Sequence, residues 1–150
     1  MSPQLGLRRV AHVRARIGDF LEAGAVPEGV RRVIPLTGGT VEGPEIRGEV
    51  LPLGADWNLV RADGSESVSA RYVIRTDDGV LLSVLNEGVI SDTPDGRLGL
   101  TRLRIEAPVG SRYADLNDAV LVGSLTVEED PSGVVVVLEY WRVVAAEPGQ

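Results

Sequence analysis

Glycine recurs at short intervals through two stretches of this chain that otherwise alternate apolar and polar residues. They are Val33 to Trp57 (VIPLTGGTVEGPEIRGEVLPLGADW) and Ser69 to Gly88 (SARYVIRTDDGVLLSVLNEG). Neither carries a helical period, and alternation from one residue to the next is the mark of a strand with two different faces. Glycine at this density inside strands signals bulges, bends or close approach of one backbone to another. A strand series bent repeatedly in this way curls and tends to close on itself. The expectation is a small β-barrel with an interior.

The remaining alternation fits that expectation. Ser65 to Thr76 puts Val68, Ala70, Tyr72 and Ile74 on one face, and Ser69, Arg71, Val73 and Arg75 on the other. Asp77-Asp78-Gly79 is a hairpin signal, and Val80 to Asn86 answers as the partner strand, ending before Gly88. Pairing across that turn sets Asn86 nearly opposite Ala70 or Ser69. Upstream, Val10 to Ile17 alternates imperfectly and Val30 to Leu36 precedes a turn at Gly38-Gly39. Thr40 to Leu53 then reads as a long strand interrupted at Gly43-Pro44 and Gly48. Downstream strands are Leu98 to Ala107, Ala119 to Glu128 and Gly133 to Val144, with Ile17 to Ala23 and a single turn at Arg112 to Asp118 as the helix candidates. About eight to ten short strands, with no connection long enough for a crossover helix, make every pairing antiparallel. The fold class is therefore all-β: one antiparallel barrel of calycin or lipocalin type over residues 1–150, with at most one or two short helices and loose termini at 1–5 and 145–150.

Composition narrows the function classes. A chain of 150 residues, 43% hydrophobic and 25% charged, suits one globular domain with a real core. A net charge of −7 repels phosphates, so nucleic acid and anionic membrane surfaces are unfavourable partners. The absence of cysteine removes disulfides, thiolate nucleophiles and cysteine-ligated zinc. No apolar run approaches the ~18 residues of a membrane helix, and the N-terminus lacks the apolar core of a secretory signal. A soluble, cytoplasmic protein is expected. His12 is the only histidine and shares parity with Arg14 and Arg16, which reads as a surface position. Metal-ligand spacings, nucleophile elbows and phosphate-binding glycine loops are all missing, so neither a metal nor a cofactor is expected.

The order GGTVEGPEIRGEVLPLGADW, then SARYVIRTDDGVLLSVLNEG, then RIEAP and YADLN, resembles the family known as domain of unknown function 3237. The likeness runs from about Leu7 to Val143 and rests on a GxxxGPxxxGxVLPxGADW core. The resemblance implies a small antiparallel β-barrel and no settled reaction. The chain departs from the family pattern at Leu53, Ser69 and Asp115.

Seven residues are candidates for chemistry. Asp56 and Trp57 close the glycine-rich core, either as an acid/base and a stacking wall at a barrel mouth or as a turn cap and a plug. Tyr113 and Asn117 lie four apart, and either present a phenol and an amide to a ligand or pin a corner. Asp56, Tyr113 and Asn117 form the catalytic set, while Trp57, Arg71, Asn86 and Glu106 form the ligand-binding set. Arg71 reaches a ligand only if its face is interior, and the apolar neighbours of Tyr72 favour Tyr72 as the inward residue. Asn86 is either an inward polar anchor or a strand terminator, and Glu106 an acidic partner or an edge cap.

Three functions follow. The first is a cofactor-free enzyme acting on a hydrophobic oxygenated substrate by proton transfer, as an isomerase, cyclase, lyase or lactone hydrolase. The second is a barrel that carries a small molecule without chemistry, and the third is a structural homo-oligomer. The strand Gly133 to Trp141 is apolar on both faces across Val134 to Leu138 and needs cover on both, either under a helix or at a dimer interface, and a homodimer is the favoured reading.

Overall fold

The structure, a computed structural model, describes residues 2–146. Nine strands account for most of them: β1 (Leu5–Ile17), β2 (Leu21–Val26), β3 (Gly29–Glu42), β4 (Gly48–Val60), β5 (Glu66–Thr76), β6 (Leu81–Thr93), β7 (Gly96–Glu106), β8 (Leu121–Asp130) and β9 (Gly133–Ala145). The sheet order is β1-β9-β8-β7-β6-β5-β4-β3-β2, every pairing is antiparallel, and β1 also pairs with β3. That last pairing closes eight strands into an up-and-down barrel and leaves β2 as a ribbon on the edge of β3. The all-β barrel expected from alternation and glycine is the fold. Among the described residues the only helical segment is a 3-10 turn at Ala114–Asp118, within the turn expected at Arg112 to Asp118.

The second helix candidate, Ile17 to Ala23, is strand instead. Ile17 ends β1 and Leu21 opens β2, and both strands pair with the single long β3. At the kink between them, the Gly18 N–H donates to the Pro35 carbonyl at 3.0 Å. The segment gives its backbone hydrogen bonds to the sheet, so none remain for a helix.

Gly38-Gly39 is not a turn either. Strand β3 runs through it, and a β-carbon on Gly39 would lie 2.2 Å from the Arg14 carbonyl oxygen of β1. Glycine is needed there so that β1 can close the barrel. The chain reverses at 43–47, where the Glu45 N–H donates to the Val10 carbonyl at 3.1 Å. Two strands outrun their expected ends. Strand β4 continues past Leu53 to Val60, and β6 passes Asn86 to reach Thr93.

Leu5 pairs with Ala145, and the Ala146 N–H donates to the Gln4 carbonyl at 2.8 Å, so the ladder includes residues expected to be loose. The remainder of that expected tail, 147–150, lies outside the described residues. Strand β9 is covered on its outer face within the chain. Val135 stands between Arg16 of β1 and Glu128 of β8, and is 1% exposed. Ion pairs Arg14–Glu128 (3.1 Å) and Arg16–Asp130 (3.0 Å) reach across β9 above it. The arginine stems shield the valines, a cover within the chain where the sequence left a helix or a partner copy as the alternatives.

The two barrel ends differ. At the end holding the 43–47 reversal, the hairpin at Asp77-Asp78-Gly79 and the 3-10 turn, Ile46, Tyr113 and Leu116 are buried in the main core. This end is plugged. The other end, ringed by the C-terminal half of β4 and the N-terminal halves of β5 and β9, is open.

Candidate functional site

The open half of the barrel holds a cavity of ≈ 910 Å³. Its walls are mostly aliphatic, with Ile34, Leu36, Val68, Ile90 and Leu138 among them. Polar side chains enter from β3, β4, β5, β6 and β7.

Registration explains why they meet. Asp56 of β4 pairs with Ala70 of β5, and Ala70 pairs with Asn86 of β6. Directly opposed residues share a face, and Ala70 lies inside with Val68 and Tyr72. A carboxyl and a carboxamide therefore stand on the inner wall in one row, separated by a methyl group. The register that makes this row depends on a bulge before Gly54, where Val50 opposes Ile74 and Gly54 already opposes Tyr72. Gly54 sits at φ +118°, and a β-carbon there would lie 2.4 Å from the Arg71 carbonyl oxygen. Only glycine tolerates both conditions.

The sequence reasoning missed four members of the site. Asn58 and Glu66 lie toward the mouth, where Asn58 Nδ2 donates to Glu66 Oε1 at 3.1 Å. Arg32 of β3 donates to the same carboxylate oxygen at 2.6 Å and to Asn58 Oδ1 at 2.8 Å. Arg97 of β7 donates to Glu66 Oε2 at 2.8 Å. The Arg32 guanidinium also covers the Phe20 ring, 4.9 Å from its centroid. Deeper in, the Tyr72 hydroxyl is hydrogen-bonded to that of Tyr140, and both phenols are fully enclosed. Parity alone could have flagged Asn58, two residues from Asp56, and Glu66, two residues from Val68. Arg32 likewise shares parity with Ile34 and Leu36.

The two carboxyls of the site are pushed in opposite directions. Burial raises the Asp56 pKa above the ordinary aspartate value. The Ser69 N–H, which donates to Oδ1 at 2.8 Å, and the Asn58 amide only partly offset this, and the nearby charge of Glu66 adds to it. Burial also pushes Glu66 up, but hydrogen bonds from Arg97 and Asn58 and the charge of Arg32 outweigh it and hold Glu66 below its ordinary value. Burial raises Tyr72 and Tyr140 as well, so both phenols keep their protons at neutral pH.

The other candidates stand apart from this cavity. Trp57 follows Asp56 onto the outer face and is 53% exposed. Arg71 is exposed on the outer side of β5, the orientation that the apolar parity of Tyr72 favoured. Glu106 is exposed at the end of β7. Tyr113 and Asn117 belong to the plugged end. The Tyr113 hydroxyl donates to Asp78 Oδ1 at 2.7 Å. Asn117 bonds both the N–H and the carbonyl of Ala107, each at 2.9 Å. His12 lies on the outside against Glu139. At the positions that depart from the family pattern, Leu53 is exposed in the β4 bulge and Ser69 lends its N–H to Asp56. The third, Asp115, pairs with Arg142 at 3.2 Å. The structure thus brings Asp56 and Asn86 together and separates the other five.

Comparison with known proteins places this barrel among relatives. A protein of Rhodopseudomonas palustris (strain TIE-1) named "UPF0311 protein" is 44% identical over 89 residues, which cover 59% of this chain and 58% of the relative. The match thus spans less than two thirds of that relative's length. A solved "beta-barrel like protein" from Acinetobacter baumannii AYE superposes with a TM-score of 0.88 at 26% identity, covering 96% of this chain and 99% of that one. An enzyme from Penicillium herquei shares the fold with a TM-score of 0.71 at 21% identity, covering 96% and 97% of the two chains. The family model described as "Protein of unknown function (DUF3237)" matches residues 5–143, and the chain belongs to that family.

Proposed function

We propose that the open half of the barrel binds an apolar, oxygenated small molecule and acts on it by acid–base catalysis without a cofactor, with Asp56 carrying the proton. The observation behind this reading is the opposite displacement of two neighbouring carboxyls in one apolar cavity. Environments that split a carboxyl pair also divide its labour: the raised member exchanges protons while the lowered one stays ionised. Glu66, held by Arg32 and Arg97, fixes the charge at the mouth, and Asp56 is the carboxyl suited to hold and release a proton. The aliphatic walls exclude water, so a proton delivered from Asp56 to a substrate oxygen or carbon meets little competition from solvent. Isomerisation, cyclisation, elimination and lactone opening all need such a step. One neighbour of the same fold is an enzyme, which agrees with a catalytic use of the barrel.

The test begins with native mass spectrometry of the purified protein, with Nile red fluorescence reporting on the cavity. An organic adduct, or saturable Nile red binding, is expected for the wild type and is lost when Ala70→Phe fills the inner row. Equal binding by Ala70→Phe would reject the cavity as the site. With the adduct's parent compound as substrate, Asp56→Asn is expected to keep binding and lower kcat by about 10²–10⁴-fold. Because the acid form is the active one, kcat/KM of the wild type falls as pH rises through the Asp56 value. A carrier, the second reading, is favoured by the largely aliphatic lining and would return the bound molecule unchanged in both proteins.

A further inference from the structure

The chemistry of the molecule taken by this site can be read from one orphaned atom. Asn86 is 1% exposed, lines the cavity, and its Oδ1 has no hydrogen-bond partner. A buried acceptor left unmade costs about 1–3 kcal/mol, so such groups are normally paired. The amide side of Asn86 faces the Tyr72 phenol, whose own hydroxyl is engaged with Tyr140. With the amide side so engaged, the oxygen is the unpartnered end of a side chain that lines the cavity.

Across the row, Ala70 presents only a methyl group between Asn86 and Asp56. Strands about 4.8 Å apart set the roots of the two side chains about 10 Å from one another. The inward curvature of the barrel draws their tips closer. One Asp56 oxygen is taken by the Ser69 N–H, and the Asn58 amide also bonds this carboxyl.

Charge supplies the second constraint. Among the described residues lining the cavity the cations are Arg32 and Arg97, and both are bound to Glu66. Asp19 and Asp56 add acidic groups to the same wall. No cation is left to neutralise an anionic ligand, and an unpaired buried anion is strongly disfavoured.

Resting on the binding function proposed above, we propose that the site selects an uncharged molecule carrying a hydroxyl group, placed over Ala70 between Asp56 and Asn86 so that it donates to Asn86 Oδ1. The apolar body of the molecule then lies against Ile34, Leu36, Val68 and Leu138 toward the mouth.

A matched probe set at pH 7 tests this by fluorescence titration: 2-naphthol, its methyl ether 2-methoxynaphthalene, and anionic 2-naphthoate. The expected result for the wild type is naphthol binding about tenfold tighter than the ether, one hydrogen bond's worth, with naphthoate weakest. Asn86→Leu should bring naphthol and ether to equal affinity while the ether binds at least as well as before. If ether and naphthol both saturate the wild type with equal affinity, or naphthoate is the tightest, the hydroxyl selection is overturned and the cavity stands as a binding site. If neither neutral probe saturates the wild type, the cavity reading falls and this inference falls with it. The comparison within the wild type decides the matter even if Asn86→Leu does not fold.

Discussion

A carboxyl taken out of water and given only one backbone donor is strained electrostatically, and Asp56 is in that position. Its raised pKa means that the folded protein holds this proton more tightly than the unfolded chain does. Between the unfolded value and the folded one, the folded state binds more protons, so stability declines as pH rises through that window. Above the folded value the full penalty is present. Asp56→Asn, which keeps an oxygen for the Ser69 N–H, is therefore expected to raise the melting temperature at pH 7 by about 2–4 °C, roughly 1 kcal/mol. The gain should shrink as pH falls through the ordinary aspartate range, and thermal scans at several pH values check it. Equal melting temperatures for the two proteins across that range would mean that burial at Asp56 is fully compensated. At this scale the sequence was partly legible. Asp56 and Asn86 were singled out, and Asn86 was set nearly opposite Ala70 or Ser69, but nothing in the sequence placed Asp56 in the same row. Glu66, Asn58, Arg32 and Arg97 were not, because polar and charged side chains in alternating strands are assigned to solvent by default, even where their parity matches the inward face.

Strand β5 and its two neighbours were the most readable elements. The Asp77-Asp78-Gly79 turn set the register, and of the two partners expected for Asn86, Ala70 and Ser69, the structure has Ala70. Gly38-Gly39 was misread because a glycine pair serves a reversal and a close backbone crossing equally well. Long-range closure by β1, invisible in local sequence, decides between them. The 3-10 turn shows the converse: it was found in the sequence, but its side chains do structural work. Asn117 ties the turn to β7 through Ala107, and Tyr113 ties it to the hairpin through Asp78. Asn117→Ala should destabilise the protein by about 1–3 kcal/mol through the backbone groups it abandons, measured by urea denaturation. Nile red or naphthol affinity in the open half should be unchanged. A loss of affinity without a loss of stability would return Asn117 to the ligand site.

Acid response belongs to the molecule as a whole. Asp130, held down by Arg16 and Ser132, Asp78, held down by Thr76 and Tyr113, and Glu66 all have folded pKa values below their ordinary ones. Each contributes stability that is complete above the ordinary carboxylate value and is lost as pH falls through the folded one. Asp56 acts in the opposite sense. The urea midpoint is thus expected to rise as pH is lowered from 7 toward the Asp56 value and to fall steeply below the carboxylate range. A midpoint that only declines on acidification would contradict the Asp56 assignment. Asp56→Asn should remove the rising part and leave the fall.

Among the described residues, the plug formed by Ile46, Tyr113 and Leu116 makes the barrel a blind tube with a single doorway. Under the proposed function, traffic through one doorway cannot pass in both directions at once. A product still inside shuts out the next substrate, so product inhibition should be purely competitive. Any second reactant smaller than the first must already be seated before the larger one corks the entrance.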